Sequence, residues 1–407
     1  MSSLIKFGDV FTFHKVGVLF FAATITLTPF LASLGLIAFI ISNLLLAYHQ
    51  RIKITFENYL LLLCVPFFIY LFFFTFRYDT SEALEVLVRT LPILIVPVLV
   101  SLNSKIIISF FDEIIKFYLL GLTISCLFTI IIGLYHFIMN GFLIEALLYF
   151  ELAEYLSLHP TYYSLFIITG VIFLLFHKRV KNVNSLLMLF FFIIIIFLLQ
   201  SRMAYILLTF VLGYYFYKRI RNDKVYALSF FTAIILVIIV VPNSLSRFKE
   251  LSVGFKSEEE LIGNNKENGI SQRVWLWSNA WSQIKDKPGF GYGFRAQQTV
   301  FKWNIEKENL LKNRGYDYDM AAIKLADWNL HNQYLQMLYE SGFFGLIVFL
   351  LSIGVTIKLT YLSKNTLFLL VYLVFLAFLF TENMLDRQMG IYFYSFILPV
   401  LLCDKSS

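Results

Sequence analysis

The run VGVLFFAATITLTPFLASLGLIAFIISNLLLAY (16–48) decides the fold class of this chain, because it is apolar over almost its whole length. A helix needs about 20 apolar residues to cross the hydrocarbon of a membrane, so this run is too long for one crossing. Pro29 near its middle disfavours helix at the residue before it, and TPF (28–30) therefore predicts a tight turn. The run predicts two consecutive membrane helices.

The rest of the chain repeats this pattern. Of its 407 residues, 59% are hydrophobic and only 14% are charged, whereas soluble globular proteins carry about 25% charged residues. Further apolar runs follow, and none alternates as a strand would. Because backbone groups cannot remain unpaired in lipid, these runs must be helices. We predict an all-α polytopic membrane protein with about 12 transmembrane helices and one long periplasmic loop.

The basic residues indicate how the chain is oriented. The net charge of +7 does not indicate nucleic-acid binding, because basic residues concentrate in short loops such as HQRIK (49–53), HKRVK (177–181) and KRIRNDK (218–224). Short loops rich in Lys and Arg stay in the cytoplasm. We therefore predict that both termini lie in the cytoplasm and that the long polar segment lies on the opposite side of the membrane. The three cysteines lie in apolar segments without metal-ligand spacing and are expected to be packing residues.

The predicted organisation has three parts. Residues 1–242 carry transmembrane helices 1–9, residues 243–333 form a large periplasmic loop, and residues 334–407 carry helices 10–12. The loop holds all five tryptophans and the segment SQRVWLWSNAWSQIKDKPGFGYGF (271–294). Its first part predicts a helix that ends before Lys287-Pro288-Gly289. Helical spacing places Arg273, Trp277, Ala280 and Trp281 on one face of that helix.

Four residues could carry chemistry, and each has an ordinary structural alternative. Arg202, in FLLQSRMAYILL, either binds an anion or extends to the membrane surface at a turn between two helices. Arg273 either binds an anion or lies in a solvated loop. His331 could transfer a proton or be a structural histidine. His159, beside Pro160, could contact a substrate or cap a helix.

Further residues are candidates for the same site, and some sequence patterns are excluded from it. Asn332, Tyr334, Trp277 and Arg89 are candidate substrate-binding residues, and Glu340, Glu382 and Arg387 are weaker candidates. GFGYGF (289–294) lacks the preceding strand of a dinucleotide-binding motif. Asp317-Tyr318-Asp319 is interpreted as a solvated surface. We therefore expect neither a metal site nor a cofactor.

Three separated motifs carry a resemblance to a known family. SRMAY with Arg202, QRVWLW with Arg273, and HNQYLQMLYESGFFG (331–345), together with Pro288, Gly291 and Gly293, resemble the O-antigen ligase and polymerase family of bacterial envelope glycosyltransferases. The likeness is strongest over residues 200–346.

The resemblance implies a GT-C-like, metal-independent, inverting membrane glycosyltransferase. Such an enzyme moves a glycan from undecaprenyl diphosphate to lipid A-core or a similar acceptor on the periplasmic face. It also implies that Arg202 and Arg273 hold the diphosphate and that His331 activates the acceptor hydroxyl.

Three alternatives remain, one in the same family and two in other classes of function. An O-antigen or polysaccharide polymerase of the same family would use a growing glycan as acceptor. A transporter of lipid-linked sugars would show charges and broken helices near mid-membrane in both halves of the chain. Here the informative charges gather at one face, which favours chemistry at an interface. A scaffold protein would leave Arg202, Arg273 and His331 without a shared purpose.

Overall fold

The structure of this chain is a computed structural model that describes residues 7–50, 58–76, 80–177, 183–220, 269–296 and 329–404. The predicted ninth membrane helix, near residues 226–241, lies outside the described residues, as do Trp303, Trp328 and most of the long polar segment. All statements about structure below concern the described residues.

The described residues form helices and connecting turns, without a strand. The α-helices, numbered in chain order, are α1 (Phe7–Thr24), α2 (Pro29–Gln50), α3 (Val65–Phe74), α4 (Thr80–Thr90), α5 (Pro92–Leu102), α6 (Ser104–Ser109), α7 (Phe111–Met139), α8 (Tyr149–Glu154), α9 (Pro160–Phe176), α10 (Val183–Leu198), α11 (Arg202–Ile220), α12 (Gly269–Ile284), α13 (Gln333–Leu362), α14 (Thr366–Phe378), α15 (Gln388–Tyr392) and α16 (Leu398–Cys403). Two 3-10 segments (Asn58–Cys64 and Ile144–Leu147) and one π-helical segment (Phe393–Ile397) complete the set.

Prolines begin several of these helices, as the sequence predicts. The long apolar run divides into α1 and α2, and Pro29 is the first residue of α2. Pro92 likewise begins α5, which follows α4 directly after Leu91, and Ala83–Leu102 is together long and apolar enough for one membrane span. Proline has no N–H to bond to the preceding turn, so it is best tolerated in the first turn of a helix, although Pro97 lies inside α5.

The described residues include four helices that are long and apolar enough to cross a membrane, namely Pro29–His49, Ala83–Leu102, Phe111–Met139 and Gln333–Leu362, and five shorter apolar ones. Their outward faces carry exposed large apolar side chains, such as Ile131, Phe190 and Leu351. An all-helical bundle with an apolar exterior is a membrane protein. The count of twelve spans and the orientation in the membrane stay predictions.

Helix α9 is the central helix of the bundle. Every residue from Pro160 to Leu175 is buried, and α9 packs against α7, α8, α10, α11 and α14. A helix that is apolar on all sides has no face to present to water, and it is stable when neighbours surround it. Its first residue, Pro160, follows His159, which is thereby fixed at one end of the bundle.

Four helix ends lie together at the end of the bundle where His159 precedes α9. Helices α10 and α11 are joined by residues 199–201, and α13 and α14 by residues 363–365. Each pair therefore forms a hairpin, and the backbone N–H of Gln333 at the start of α13 donates to the carbonyl of Leu379 just after α14. We call this the His331 end of the bundle: the end at which α9, α11 and α13 begin and α14 finishes.

Candidate functional site

A histidine and a glutamate from two different loops form a pair at the His331 end. His331 Nδ1 lies 3.2 Å and 3.3 Å from the two carboxylate oxygens of Glu382. His331 immediately precedes the cap of α13, and Glu382 lies in the loop that follows α14. The Glu382 side chain is only 5% exposed, while that of His331 is 31% exposed. The imidazole is therefore accessible, and its carboxylate partner is fixed behind it.

The local backbone orients His331. Its φ angle is +47°, a left-handed conformation that few residues with a side chain adopt. Its N–H donates to Asn329 Oδ1 at 2.9 Å. The next residue, Asn332, caps α13 by accepting from the N–H groups of Tyr334 and Leu335. The left-handed turn and the cap together place the His331 ring against Glu382.

The pair has a clear chemical consequence. A carboxylate that accepts the Nδ1 proton fixes the tautomer of a neutral imidazole and leaves the lone pair on Nε2. That carboxylate also stabilises the imidazolium that forms when Nε2 takes a proton. His331 with Glu382 thus has the arrangement of a general base and its orienting group.

Two more of the residues predicted for the site lie near Glu382. Burial alone would raise the pKa of the Glu382 carboxyl, but the hydrogen bond and charge of His331 and the charges of His159 and Arg273 lower the pKa to about 2. Glu382 is therefore an anion at any physiological pH. Among the predicted residues, the structure brings His331, Arg273 and His159 together around this carboxylate.

His159 itself has a structural contact. Its Nδ1 accepts from the N–H of Thr161, which makes it the cap of α9. Burial lowers the pKa of its imidazole, against the raising effect of Glu382. Because Nδ1 accepts this hydrogen bond, a neutral His159 ring carries its proton on Nε2. The cap that the sequence left as an alternative is present, and contact with a substrate stays a prediction.

Helix α12 is held to the His331 segment by a tryptophan. The indole Nε1 of Trp277 donates to the carbonyl of Leu330 at 2.7 Å, one residue before His331. Ala280 is fully buried in the same contact region, whereas Trp281 is 49% exposed. The predicted common face is therefore divided: Trp277 and Ala280 pack inward, and Trp281 points outward. Arg273, one turn before Trp277, is half-buried beside them.

A set of main-chain hydrogen bonds, which we call the backbone interlock, joins residues 288–293 after α12 to the part of α13 around Gly342. Helix α13 is broken at Gly342, whose φ is +62°. The break frees the carbonyls of Tyr339 and Glu340, which accept from the N–H groups of Tyr292 and Gly293 at 3.0 Å and 2.9 Å. It also frees the N–H groups of Phe343 and Phe344, which donate to the carbonyls of Pro288 and Gly289.

The glycines of GFGYGF and ESGFFG thus serve a structural purpose. These four main-chain hydrogen bonds join residues 288–293, which follow α12, to α13 around Gly342. Together with the bond from Trp277 to Leu330, they hold the segment that carries Arg273 against the one that carries His331.

A second buried polar cluster lies beside the first, and of its two central side chains, Arg295 and Asp386, neither was a candidate from the sequence. Arg295 contributes its backbone N–H to Glu340 Oε1 at 3.0 Å, and its Nη1 lies 3.5 Å from Asp386 Oδ2. Burial raises the pKa of Asp386, and the charges of Arg295, Arg387 and Arg89 oppose that rise. Arg89 and Arg387 are therefore near this cluster, and Arg89 also pairs with Glu85 one turn earlier in α4.

One sequence signal could have identified this cluster. TENMLDRQMG (381–390) places several polar residues between two apolar spans, and Glu382, Asn383 and Asp386 in it are all buried. Polar side chains are costly to bury without partners, so such a loop indicates a polar site.

The remaining predicted residues have defined positions. Arg202 is the first residue of α11 and is half-buried. The chain connections put it at the same end as His159, and its approach to Glu382 stays a prediction. Tyr334 donates its hydroxyl to the carbonyl of Leu376, and its ring packs against Phe380. For Tyr334, Asn332 and Trp277 the structure gives packing or capping contacts, and a direct contact with substrate stays a prediction.

In the part of the chain that the structure describes, no three His, Cys, Asp or Glu side chains are arranged to hold a metal ion.

Comparison with known proteins identifies the segment that carries Arg202, Arg273 and His331. Residues 186–350 match the family model described as O-antigen ligase. The matched segment begins in α10, ends within α13 and includes Arg202, Arg273 and His331. No curated protein matches the chain. The family match confirms the resemblance that the three motifs predicted.

Proposed function

We propose that this member of the O-antigen ligase and polymerase family transfers a glycan from undecaprenyl diphosphate to a hydroxyl group of lipid A-core or a similar envelope acceptor. The observation that supports this most is the contact between His331 Nδ1 and the Glu382 carboxylate, with Arg273 close enough to act on the same carboxyl. A base and a phosphate-binding cation in one place are the two requirements for such a transfer.

The arginines are suited to the donor. A guanidinium group presents a planar fork of N–H donors that matches phosphate oxygens, and it stays charged when partly desolvated. Arg273 is half-buried on α12, and Arg202 begins α11. In the proposed complex both bind the diphosphate on the periplasmic face of the inner membrane. Their charges stabilise the negative charge that grows on the diphosphate as it leaves.

The proposed reaction is a displacement in one step, with His331 as the base. The acceptor hydroxyl oxygen attacks the anomeric carbon of the glycan from the face opposite the diphosphate, and the bond between that carbon and the diphosphate oxygen breaks. The bonding electron pair leaves with undecaprenyl diphosphate, and the hydroxyl proton passes to Nε2 of His331. Glu382 stabilises the resulting imidazolium. Displacement in one step inverts the anomeric configuration.

The same site could extend a glycan, which is the second candidate. A polymerase would use the non-reducing end of a second lipid-linked glycan as its acceptor, with the same base and the same arginines. The two functions differ in the acceptor alone, so an acceptor assay distinguishes them.

The decisive experiment is transfer by the purified protein in lipid nanodiscs. The donor is the undecaprenyl-diphosphate-linked glycan extracted from the organism's own membranes, and it is offered with lipid A-core or alone. We expect glycan on lipid A-core from the wild type and none from His331→Ala. Longer lipid-linked glycans in the absence of lipid A-core would instead support the polymerase. Equal transfer by wild type and His331→Ala would contradict the proposed mechanism.

A further inference from the structure

We propose that Gln336 is a positioning residue that sets the separation between His331 and Glu382. The inference rests on the proposed function, because it assigns to Gln336 the geometry of the proposed base. Gln336 lies in the first turn of α13 and is fully buried. Nothing in the resemblance or in the motifs singled it out.

The Gln336 side chain joins the two segments that carry the pair. Its Oε1 accepts from the backbone N–H of Leu330 at 3.4 Å and from Asn383 Nδ2 at 3.1 Å. Leu330 directly precedes His331, and Asn383 directly follows Glu382. One oxygen atom therefore connects a neighbour of the base to a neighbour of its carboxylate.

The orientation of the Gln336 amide is determined by its partners. The backbone N–H of Leu330 can only donate, so the atom that faces it must be the amide oxygen. The amide nitrogen Nε2 then faces Glu340, and it donates to Glu340 Oε1 at 2.8 Å. Glu340 Oε1 also accepts from the N–H of Arg295. The interlocked segment after α12 thus fixes Glu340, and Glu340 fixes the amide of Gln336.

Each joined segment is also held from its other side. The carbonyl of Leu330 accepts from Trp277, so Leu330 is bonded to Gln336 through its N–H and to α12 through its C=O. The backbone N–H of Asn383 lies 3.3 Å from Glu382 Oε1, and the carbonyl of Asn383 accepts from the hydroxyl of Tyr162. With these contacts in place, the length of the Gln336 side chain determines how far the two segments lie apart.

Catalysis by a histidine and a carboxylate depends strongly on their separation. A displacement of about 1 Å can lower turnover by about 100-fold. The substitution Gln336→Met keeps the length and volume of the side chain and removes all three hydrogen bonds. We expect kcat for glycan transfer to fall by about 10- to 100-fold with the KM of the donor changed by less than about twofold, because Gln336 does not touch the donor.

A matched control exists in the same region. Gln388 is a half-buried glutamine that donates to the carbonyl of Pro29 and to Ser33 Oγ at the start of α2, and it has no bond to either joined segment. Gln388→Met loses the same chemical group, and we expect kcat within about twofold of the wild type. A comparable fall in kcat for both variants would show a general loss of packing and would overturn the proposal.

A double-mutant cycle separates positioning from a purely structural effect. If Gln336 acts through the pair, Gln336→Met combined with Glu382→Gln should be no slower than Glu382→Gln alone, within about twofold. Multiplied losses in the double variant would overturn the proposal. Asn383→Leu, which removes the bond to Gln336 from the other side, should lower kcat similarly and should also be non-additive with Gln336→Met.

Two further variants distinguish a failure of the proposed function from a failure of the positioning role alone. His331→Ala is assayed beside these variants. Full activity in His331→Ala would contradict the proposed function, whereas an inactive His331→Ala with normal Gln336→Met would contradict the positioning alone. If Gln336→Met inserts poorly, Gln336→Asn keeps the amide but is one methylene too short to reach all three partners. Normal kcat in that variant would overturn the proposal.

Discussion

Gly291 and Gly342 approach each other so closely that neither position has room for a β-carbon. A Cβ atom on Gly291 would lie 2.6 Å from the backbone nitrogen of Gly342, and one on Gly342 would lie 2.5 Å from the backbone nitrogen of Phe290. Both glycines also have positive φ angles. The contact holds residues 289–291 against α13, the helix that begins two residues after His331, and it thereby contributes to the shape of the site.

Substitution of Gly342 should disrupt this contact. We expect Gly342→Ala to lower the free energy of unfolding by at least about 2 kcal/mol, because alanine is strained at this backbone conformation and its methyl group meets the main chain of residues 289–290. The measurement is the thermal unfolding midpoint in detergent. The matched control is Gly354→Ala in the same helix, where nothing lies within 4 Å of the added carbon. Equal midpoints for the two variants would contradict the interlock.

Removal of Arg273 should weaken use of the donor. We expect Arg273→Ala to lower kcat/KM for the lipid-linked donor by about 100-fold or more, because charge-assisted hydrogen bonds to phosphate contribute about 1.5–3 kcal/mol each. Arg202→Ala should have the same direction of effect. The control is Lys285→Ala, which removes an exposed cation just after α12. Donor kinetics of Arg273→Ala that match those of the control would remove Arg273 from the diphosphate site.

The carboxylate behind His331 should matter for turnover. Glu382→Gln removes the charge that stabilises the imidazolium while it keeps the size of the side chain, and we expect kcat to fall by about 10²- to 10⁴-fold. The measurement is steady-state transfer at saturating donor. Glu145→Gln, at an exposed position, serves as the control. Wild-type turnover in Glu382→Gln would refute the role of the pair.

Glu382 should also make stability depend on pH in a defined direction. Its folded-state pKa of about 2 lies below the ordinary value of 4.5, which corresponds to about 3 kcal/mol of stabilisation. Because the folded pKa is depressed, this contribution is fully present above about pH 5 and is lost as the pH falls towards 2. Thermal midpoints of wild type and Glu382→Gln should differ most near neutral pH and converge in acid. A difference that stays constant from pH 7 to pH 3 would exclude this linkage.

Removal of one partner of the contact between Arg295 and Asp386 should lower the free energy of unfolding. We expect Arg295→Met to lower the free energy of unfolding by about 3–5 kcal/mol, because it leaves buried carboxyl groups without their cation. The double substitution Arg295→Met with Asp386→Leu should recover part of that loss, since it removes the partner as well. The thermal midpoints of the single and double variants test this. A double variant less stable than Arg295→Met would count against the contact as the cause.

Much of the site was accessible from the sequence, and the reason is local chemistry. Arg273 and His331 stand in polar segments beside apolar runs, where a charged or titratable residue is conspicuous. The motif around Arg202 supplied the third residue, and the family match covers all three. By contrast, Glu382 was only a weak candidate, and Arg295, Asn383 and Gln336 were not candidates at all. Their importance depends on partners far away along the chain, as His331 and Glu382 are, which lie 51 positions apart.

The sequence by itself determined that this chain is an all-helical membrane protein, where several of its helices begin, and which family it resembles. Those properties depend on apolar run length, on proline and on short motifs, all of which act over a few residues. Only the tertiary structure decided that a histidine after the polar segment meets a glutamate after α14, and that Trp277 and the broken helix at Gly342 hold the segments around them. Such contacts depend on how helices pack and where their ends meet, and no local pattern of residues specifies that.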